Sequence, residues 1–159
     1  MRGLGSYIVS IDAKNRIVLP VGIRKNLAEK ESYVIIHKGY DDYLYLYTPE
    51  QWGPEYNRLM QLDDYDTDEK AVKRWVFNDL IEAELDSAGR ILISKELKEY
   101  AKIIKEMKIT SLGDRYEIWA EEVKAESERV MTAAEMKEIA KKVMKSKPKF
   151  KKEEGGNGE

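Results

Sequence analysis

The chain has 159 residues and a formal net charge of −2, with 42% hydrophobic and 36% charged residues, enough for one compact domain or two very small ones. It holds no cysteine and a single histidine. Disulfides, thiol nucleophiles and Cys-based zinc sites are thereby excluded, and any His-centred triad or multi-His metal site would rest on His37 alone. No apolar run approaches the roughly 18–20 residues of a membrane span and no signal-peptide core opens the chain, so the expectation is a soluble cytoplasmic protein.

In chain order, Tyr7–Ile11 reads as a strand entering the tight polar turn Asp12-Ala-Lys-Asn15, where Asn15 tolerates positive φ. The β-branched strand Arg16–Leu19 follows, then a short helix opened by Pro20. Tyr33–His37 and Leu44–Tyr47 are two more strands, with His37 in an apolar run that predicts a structural role. Thr48-Pro49-Glu50-Gln51 is a capping-box start for a helix to about Leu62. Asp63-Asp64-Tyr65-Asp66 breaks it; without a loop Gly and terminal Glu it does not read as a calcium loop. Asp66 or Thr67 caps a helix to about Asn78, with Ala71, Val72, Trp75 and Val76 as its buried stripe.

The second half repeats the first. Ile81–Leu85 runs into Asp86-Ser-Ala-Gly89, Arg90–Ile93 follows, and Ser94 caps a short helix before strands Met107–Ser111 and Tyr116–Trp119. At an offset of 74, Asp12 meets Asp86, Asn15 meets Gly89, Arg16 meets Arg90, Ile23 meets Leu97, Arg24 meets Lys98 and Gly39 meets Gly113. The offset then becomes 72, which sets Leu44–Tyr47 on Tyr116–Trp119 and gives copy one the longer turn. A charged helix follows Trp119, and Thr132 caps another with Met136, Ile139, Ala140 and Val143 on one face. The segments are thus 5–52 and 79–122 for the repeats, 53–78 for connecting helices, 123–144 for C-terminal helices and 145–159 for a disordered basic tail.

Each β-α-β-β copy exposes more apolar strand face than it can cover. Two copies can bury those faces together in an α+β, β-rich barrel with pseudo-twofold symmetry, bringing both turns onto matching sides. A twofold pair of arginine-bearing turns fits duplex DNA. Residues 133–159 carry +3 against −5 for the rest, so an anionic partner would meet a local patch or the tail.

Asp12-Ala-Lys-Asn-Arg16-Ile-Val-Leu-Pro20 with Arg24, and Leu85-Asp86-Ser-Ala-Gly-Arg90-Ile-Leu-Ile93, resemble the AbrB/MazE/MraZ superfamily of swapped-hairpin DNA-binding proteins, and the double copy resembles the MraZ family. Gly113-Asp-Arg-Tyr-Glu-Ile-Trp119 and Leu46-Tyr47-Thr-Pro49-Glu-Gln-Trp52 extend the similarity over about residues 5–120. The resemblance implies a duplicated swapped-hairpin barrel with added helices. It also implies a bacterial, nucleoid-associated transcriptional regulator that forms ring homo-oligomers. Such a regulator binds tandem repeats upstream of its own gene, at the head of the division and cell-wall cluster. The chain departs from the family pattern at Asn15, where Gly is usual, at Ser87-Ala88, which lack a Lys equivalent to Lys14, and at Ser94, where Pro is expected. The first turn is therefore expected to contact DNA more than the second.

The expected DNA-contacting residues are Lys14, Asn15, Arg16, Arg24, Lys25, Arg90 and Lys98, with Asp12 and Asp86 orienting the turns. The bland alternative is an Asp–Arg pair that only fixes each hairpin. Acid–base or metal chemistry at Asp12 and Asp86 is disfavoured because a neighbouring Arg holds each ionised. Trp52, Trp75 and Trp119 read as core or subunit-interface residues, and the seven lysines between 141 and 152 as either a second DNA arm or a solubilising tail. No enzyme activity, cofactor, metal, membrane or small-molecule substrate is expected. Two rival readings stand beside the regulator: a MazE-like antitoxin, and an oligomeric scaffold that does not bind DNA.

Overall fold

In the computed structural model, residues 3–123 and 132–146 are described, and the chain divides into two units, 1–124 and 125–159. The first unit holds β1 (Ser6–Ser10), β2 (Arg16–Val18), α1 (Val21–Arg24), β3 (Tyr33–Lys38), β4 (Leu44–Tyr47), α2 (Pro49–Met60), α3 (Thr67–Asn78), β5 (Ile81–Glu84), β6 (Arg90–Leu92), α4 (Lys95–Tyr100), β7 (Glu106–Ser111) and β8 (Tyr116–Ala120). The second holds α5 (Ala133–Ser146).

The fold is α+β with one large antiparallel sheet. Its six strands run β1-β7-β8-β4-β3-β5, and β2 and β6 form a separate two-stranded ribbon. Strand β1 of copy one pairs with β7 of copy two, and β5 of copy two pairs with β3 of copy one. Exchanging the copies therefore maps the sheet onto itself, with a pseudo-dyad through the Tyr45–Glu117 pair of β4–β8 and the Ile17–Ile91 pair of β2–β6.

The expected closed barrel is not found. Strands β1 and β5 sit at opposite edges of the sheet, each paired on one side. At the Asp-x-x-x-Arg turns both copies leave the sheet, and the three-residue β2 and β6 pair with each other instead of joining the edges. The offset of 74 also ends earlier than Gly39. Buried Val34 and Ile36 correspond to buried Met107 and Ile109, an offset of 73, so one residue is dropped before β3 and another in the turn after it. Because side chains alternate along a strand, that one-residue step is required to keep the apolar residues facing inward.

One sheet face, the ribbon and helices α1 and α4 enclose the main core, where Ile17, Ile91, Ile23, Leu97, Val34, Ile36, Leu46 and Ile118 are buried. Each such side chain contributes about 1.5–3 kcal/mol through area removed from water. The other face carries Ile35, Tyr45 and Tyr47 in a second, aromatic cluster, against which α2 packs through Trp52.

The capping chemistry read from the sequence is in place. Thr48 and Gln51 form the capping box of α2, Asp66 caps α3 through the N–H groups of Asp68 and Glu69, and Ser94 accepts from Leu97 at the start of α4. Pro20 stands one residue before α1. The buried stripe assigned to α3 is corrected: Val76 is buried and Trp75 half-buried, but Ala71 and Val72 are exposed, because only the C-terminal turn of the helix packs down. In the second unit, Thr132 and Glu135 form a reciprocal capping box at the start of α5, whose Met136, Ile139 and Val143 are exposed. Helix α5 includes Lys145, where the tail was expected to begin; residues 147–159 lie outside the described residues, as do 124–131 of the expected charged helix. No helix among the described residues is long and apolar enough to cross a membrane.

Candidate nucleic-acid interface

The two turns are built alike, from the carboxylate outward. Asp12 Oδ1 accepts from the backbone N–H groups of Lys14 and Arg16, each at 2.9 Å, and Oδ2 accepts from Arg16 Nε at 2.9 Å. Asp86 repeats this with Ala88, Arg90 and Arg90 Nε at 2.9, 2.9 and 2.7 Å. Short polar side chains that capture backbone N–H groups in this way stabilise a turn against the extended alternative. The backbone then closes through Asn15 at φ 61° and Gly89 at φ 75°.

The turns also lock to each other across the dyad. Leu19 N–H donates to Gly89 O at 2.9 Å, and Ile93 N–H donates to Asn15 O at 2.8 Å. These bonds extend the β2–β6 ribbon by one residue at each end, so neither turn can shift without the other.

Each Asp carboxyl lies below its ordinary value of 3.8, first because it accepts the backbone N–H of its Arg, with the guanidinium adding to the effect. Both remain ionised at neutral pH. Each accepts from the Nε of its Arg and is in the wrong state to act as a general acid. Nε is the group each Arg spends on its Asp; among the described residues no hydrogen bond is made to the Nη groups. Those Nη groups form the planar fork that suits guanine edges and phosphates.

The remaining predicted residues fall into distinct places. Lys98 Nζ donates to Asn15 Oδ1 at 3.0 Å, joining α4 of copy two to the turn of copy one. Its counterpart Arg24 lies against Gly89, where an added Cβ would collide with the guanidinium. Thus each helix reaches the opposite copy's turn with a basic side chain. Lys14 is exposed on the first turn, and Lys25 is exposed at the C-cap of α1, with no contact to either turn among the described residues.

Two features escaped the sequence reading. Lys95 and Lys102 join Lys98 and Asn15 around a shallow depression of about 380 Å³ beside the first turn. The i, i+3 spacing of Lys95 and Lys98 on α4 was the available signal. The second feature is a cleft of about 600 Å³ at the β7–β8 turn. Glu55, 4% exposed, accepts from Arg58 at 2.7 Å and from Arg115 at 3.0 Å, and Arg115 also bonds Tyr47 Oη and Asp114. Glu55, Arg58, Asp114 and Arg115 are thus paired with one another, and the cluster ties α2 to copy two.

His37 lies on the opposite sheet face from the ribbon, 1% exposed, between the Lys38 carbonyl at 2.7 Å and Tyr47 Oη at 3.1 Å. Burial lowers its pKa to about 4. Trp52 packs on His37 and Tyr47, Trp75 on Tyr40 and Tyr100, and Trp119 on Tyr43, each within the aromatic layer. Among the described residues there is no group of three His, Cys, Asp or Glu that could hold a metal ion.

Comparison with known proteins returns a family profile described as "MraZ protein, putative antitoxin-like", matching residues 4–75 and 77–139, one stretch over each copy. A protein named transcriptional regulator MraZ from Clostridium botulinum (strain Alaska E43 / Type E3) is 40% identical over 119 residues, covering 75% of this chain and 82% of its own length. The protein of that name from Alkaliphilus oremlandii is 38% identical over 117 residues (74% and 80%), and that from Cytophaga hutchinsonii 32% identical over 117 residues (73% and 78%).

Proposed function

The chain belongs to the MraZ family, and from that premise we propose that it is a transcriptional regulator that binds duplex DNA in a sequence-specific way. The contacts are made by the twin Asp-x-x-x-Arg turns. One observation carries this reading: Arg16 and Arg90 stand on one short ribbon, related by the pseudo-dyad, each braced through Nε, with side chains 29% and 35% exposed and Nη groups that bond none of the described residues. A bracing of this kind leaves little side-chain entropy to lose on binding, which favours a rigid reader over a surface Lys.

Arg16 and Arg90 contact bases or phosphates, and Asp12 and Asp86 hold them in place. Lys14 and Lys98 meet phosphates, with Asn15, Arg24 and Lys25 at the margin of the contact. The exchange of β1 and β5 between copies supports the swapped-hairpin relationship. The protein acts as a ring homo-oligomer at the nucleoid, on tandem repeats upstream of its own gene in the division and cell-wall cluster. Several modest sites on one ring give avidity through effective concentration, which suits a chain of net charge −2.

The test is fluorescence anisotropy with duplex from the gene's own upstream region against a shuffled duplex, over a salt titration. Loss of one bidentate guanidinium contact corresponds to about 1–3 kcal/mol, so Arg16→Ala is expected to weaken binding by about 5- to 150-fold. Arg90→Ala is expected to lose less, because the second turn has no counterpart of Lys14. Equal, weak binding to both duplexes that Arg16→Ala leaves unchanged overturns the reading in favour of the scaffold or antitoxin alternatives.

A further inference from the structure

The outward face of the β2–β6 ribbon carries four side chains, and only two of them are charged. The register sets Arg16 opposite Leu92 and Val18 opposite Arg90, with Ile17 and Ile91 turned into the core between them. The two arginines therefore occupy one diagonal of a square and the two aliphatic side chains the other. Val18 is 51% exposed and Leu92 is 58% exposed.

A scattered exposed aliphatic residue needs no explanation. This pair differs because the same choice is made twice at positions where solvent would accept any side chain. Nearby exposed positions diverge between the copies: Ile8 and Val21 of copy one correspond to Glu82 and Lys95 of copy two. Val18 and Leu92 both remain branched and apolar, two residues after an arginine that points the same way.

A two-stranded ribbon fits the major groove of duplex DNA, and the guanidinium groups beside these side chains suit its phosphates and guanine edges. Within that groove the one apolar group on a base edge is the 5-methyl of thymine. We infer that Val18 and Leu92 are specificity-determining residues that pack on thymine methyl groups, while the adjacent arginines make the polar contacts. The inference rests on the DNA-binding reading above and assigns it a base preference.

The experiment compares the upstream duplex with the same duplex carrying deoxyuridine in place of every thymine, which removes the 5-methyl and keeps the base pairing. The full-length wild type is expected to lose affinity by about fourfold for each methyl it contacts, the partition of one buried carbon unit. The double variant Val18→Ser/Leu92→Ser is expected to bind the thymine duplex more weakly and to bind both duplexes equally. Both side chains are about half exposed, so its unfolding midpoint should fall only slightly below that of wild type and serves as the folding control. Equal wild-type affinity for the two duplexes, or full discrimination by the double variant, overturns the inference. If Arg16→Ala still weakens binding as expected in either case, the DNA-binding reading survives without it. If wild type fails to prefer its own duplex over the shuffled one, both are overturned.

Discussion

The two copies share strand order and turn geometry but differ in what they place on the outer face of the sheet. In copy one, Ile35 and His37 of β3 are buried beneath aromatic residues; their counterparts in copy two, Lys108 and Thr110 of β7, are half-exposed. The turns differ in the same spirit. Asn15 uses its side chain to hold Lys98, whereas Gly89 has none and Arg24 fills the space above it. One backbone plan thus tolerates opposite solutions wherever the side chain faces away from the shared core, and the inward-facing residues are held to a single pattern.

The sharpest way to break this comparison is through His37, since Thr110 cannot titrate. The folded value of about 4 lies below the ordinary 6.5, so below pH 6.5 the unfolded chain binds a proton that the folded chain does not. Stability is complete above pH 6.5 and falls as the pH drops toward about 4, by about 3 kcal/mol in all. Urea unfolding from pH 7.5 to pH 4 should show this decline, and His37→Gln should flatten the histidine part of it. A profile unchanged by the substitution would mean that the outer face of copy one is as wet as that of copy two.

The turn asymmetry gives the next effect. Gly89→Ala forces a Cβ into left-handed backbone and against Arg24, and is expected to cost about 1–2 kcal/mol in unfolding free energy. Asn15→Gly relieves a positive φ and loses one hydrogen bond, so its net effect should stay within about 0.5 kcal/mol. Equal costs at the two positions would show the turns to be interchangeable.

The smallest effect belongs to Lys98. Its bond to Asn15 is half-exposed, and Lys98→Met should lower stability by about 0.5 kcal/mol. The same change in the Asn15→Gly background should do nothing, a double-mutant cycle that isolates the contact.

Short-range chemistry controls the features that the residues alone make readable. A Thr-Pro-Glu-Gln run, an Asp four residues before an Arg, or an Asn where φ must be positive acts on neighbours a few residues away, so the caps, the turns and the duplication were all legible. The structural role of His37 was legible too, from its place in an apolar run, and its side chain is buried. Tertiary structure decided the rest. Only packing could choose between a closed barrel and an open sheet with a separate ribbon, because the partners of β1 and β5 lie far away in sequence. It also moved the repeat offset to 73 at β3 and β7, and it left Val72 in solvent although its helix is amphipathic. The candidate site divides in the same way. The Asp–Arg braces follow from four residues of sequence, but Lys98 on Asn15 and Arg24 over Gly89 join residues 83 and 65 positions apart. Those contacts exist because two copies bury their apolar faces together, a long-range requirement that no local pattern encodes.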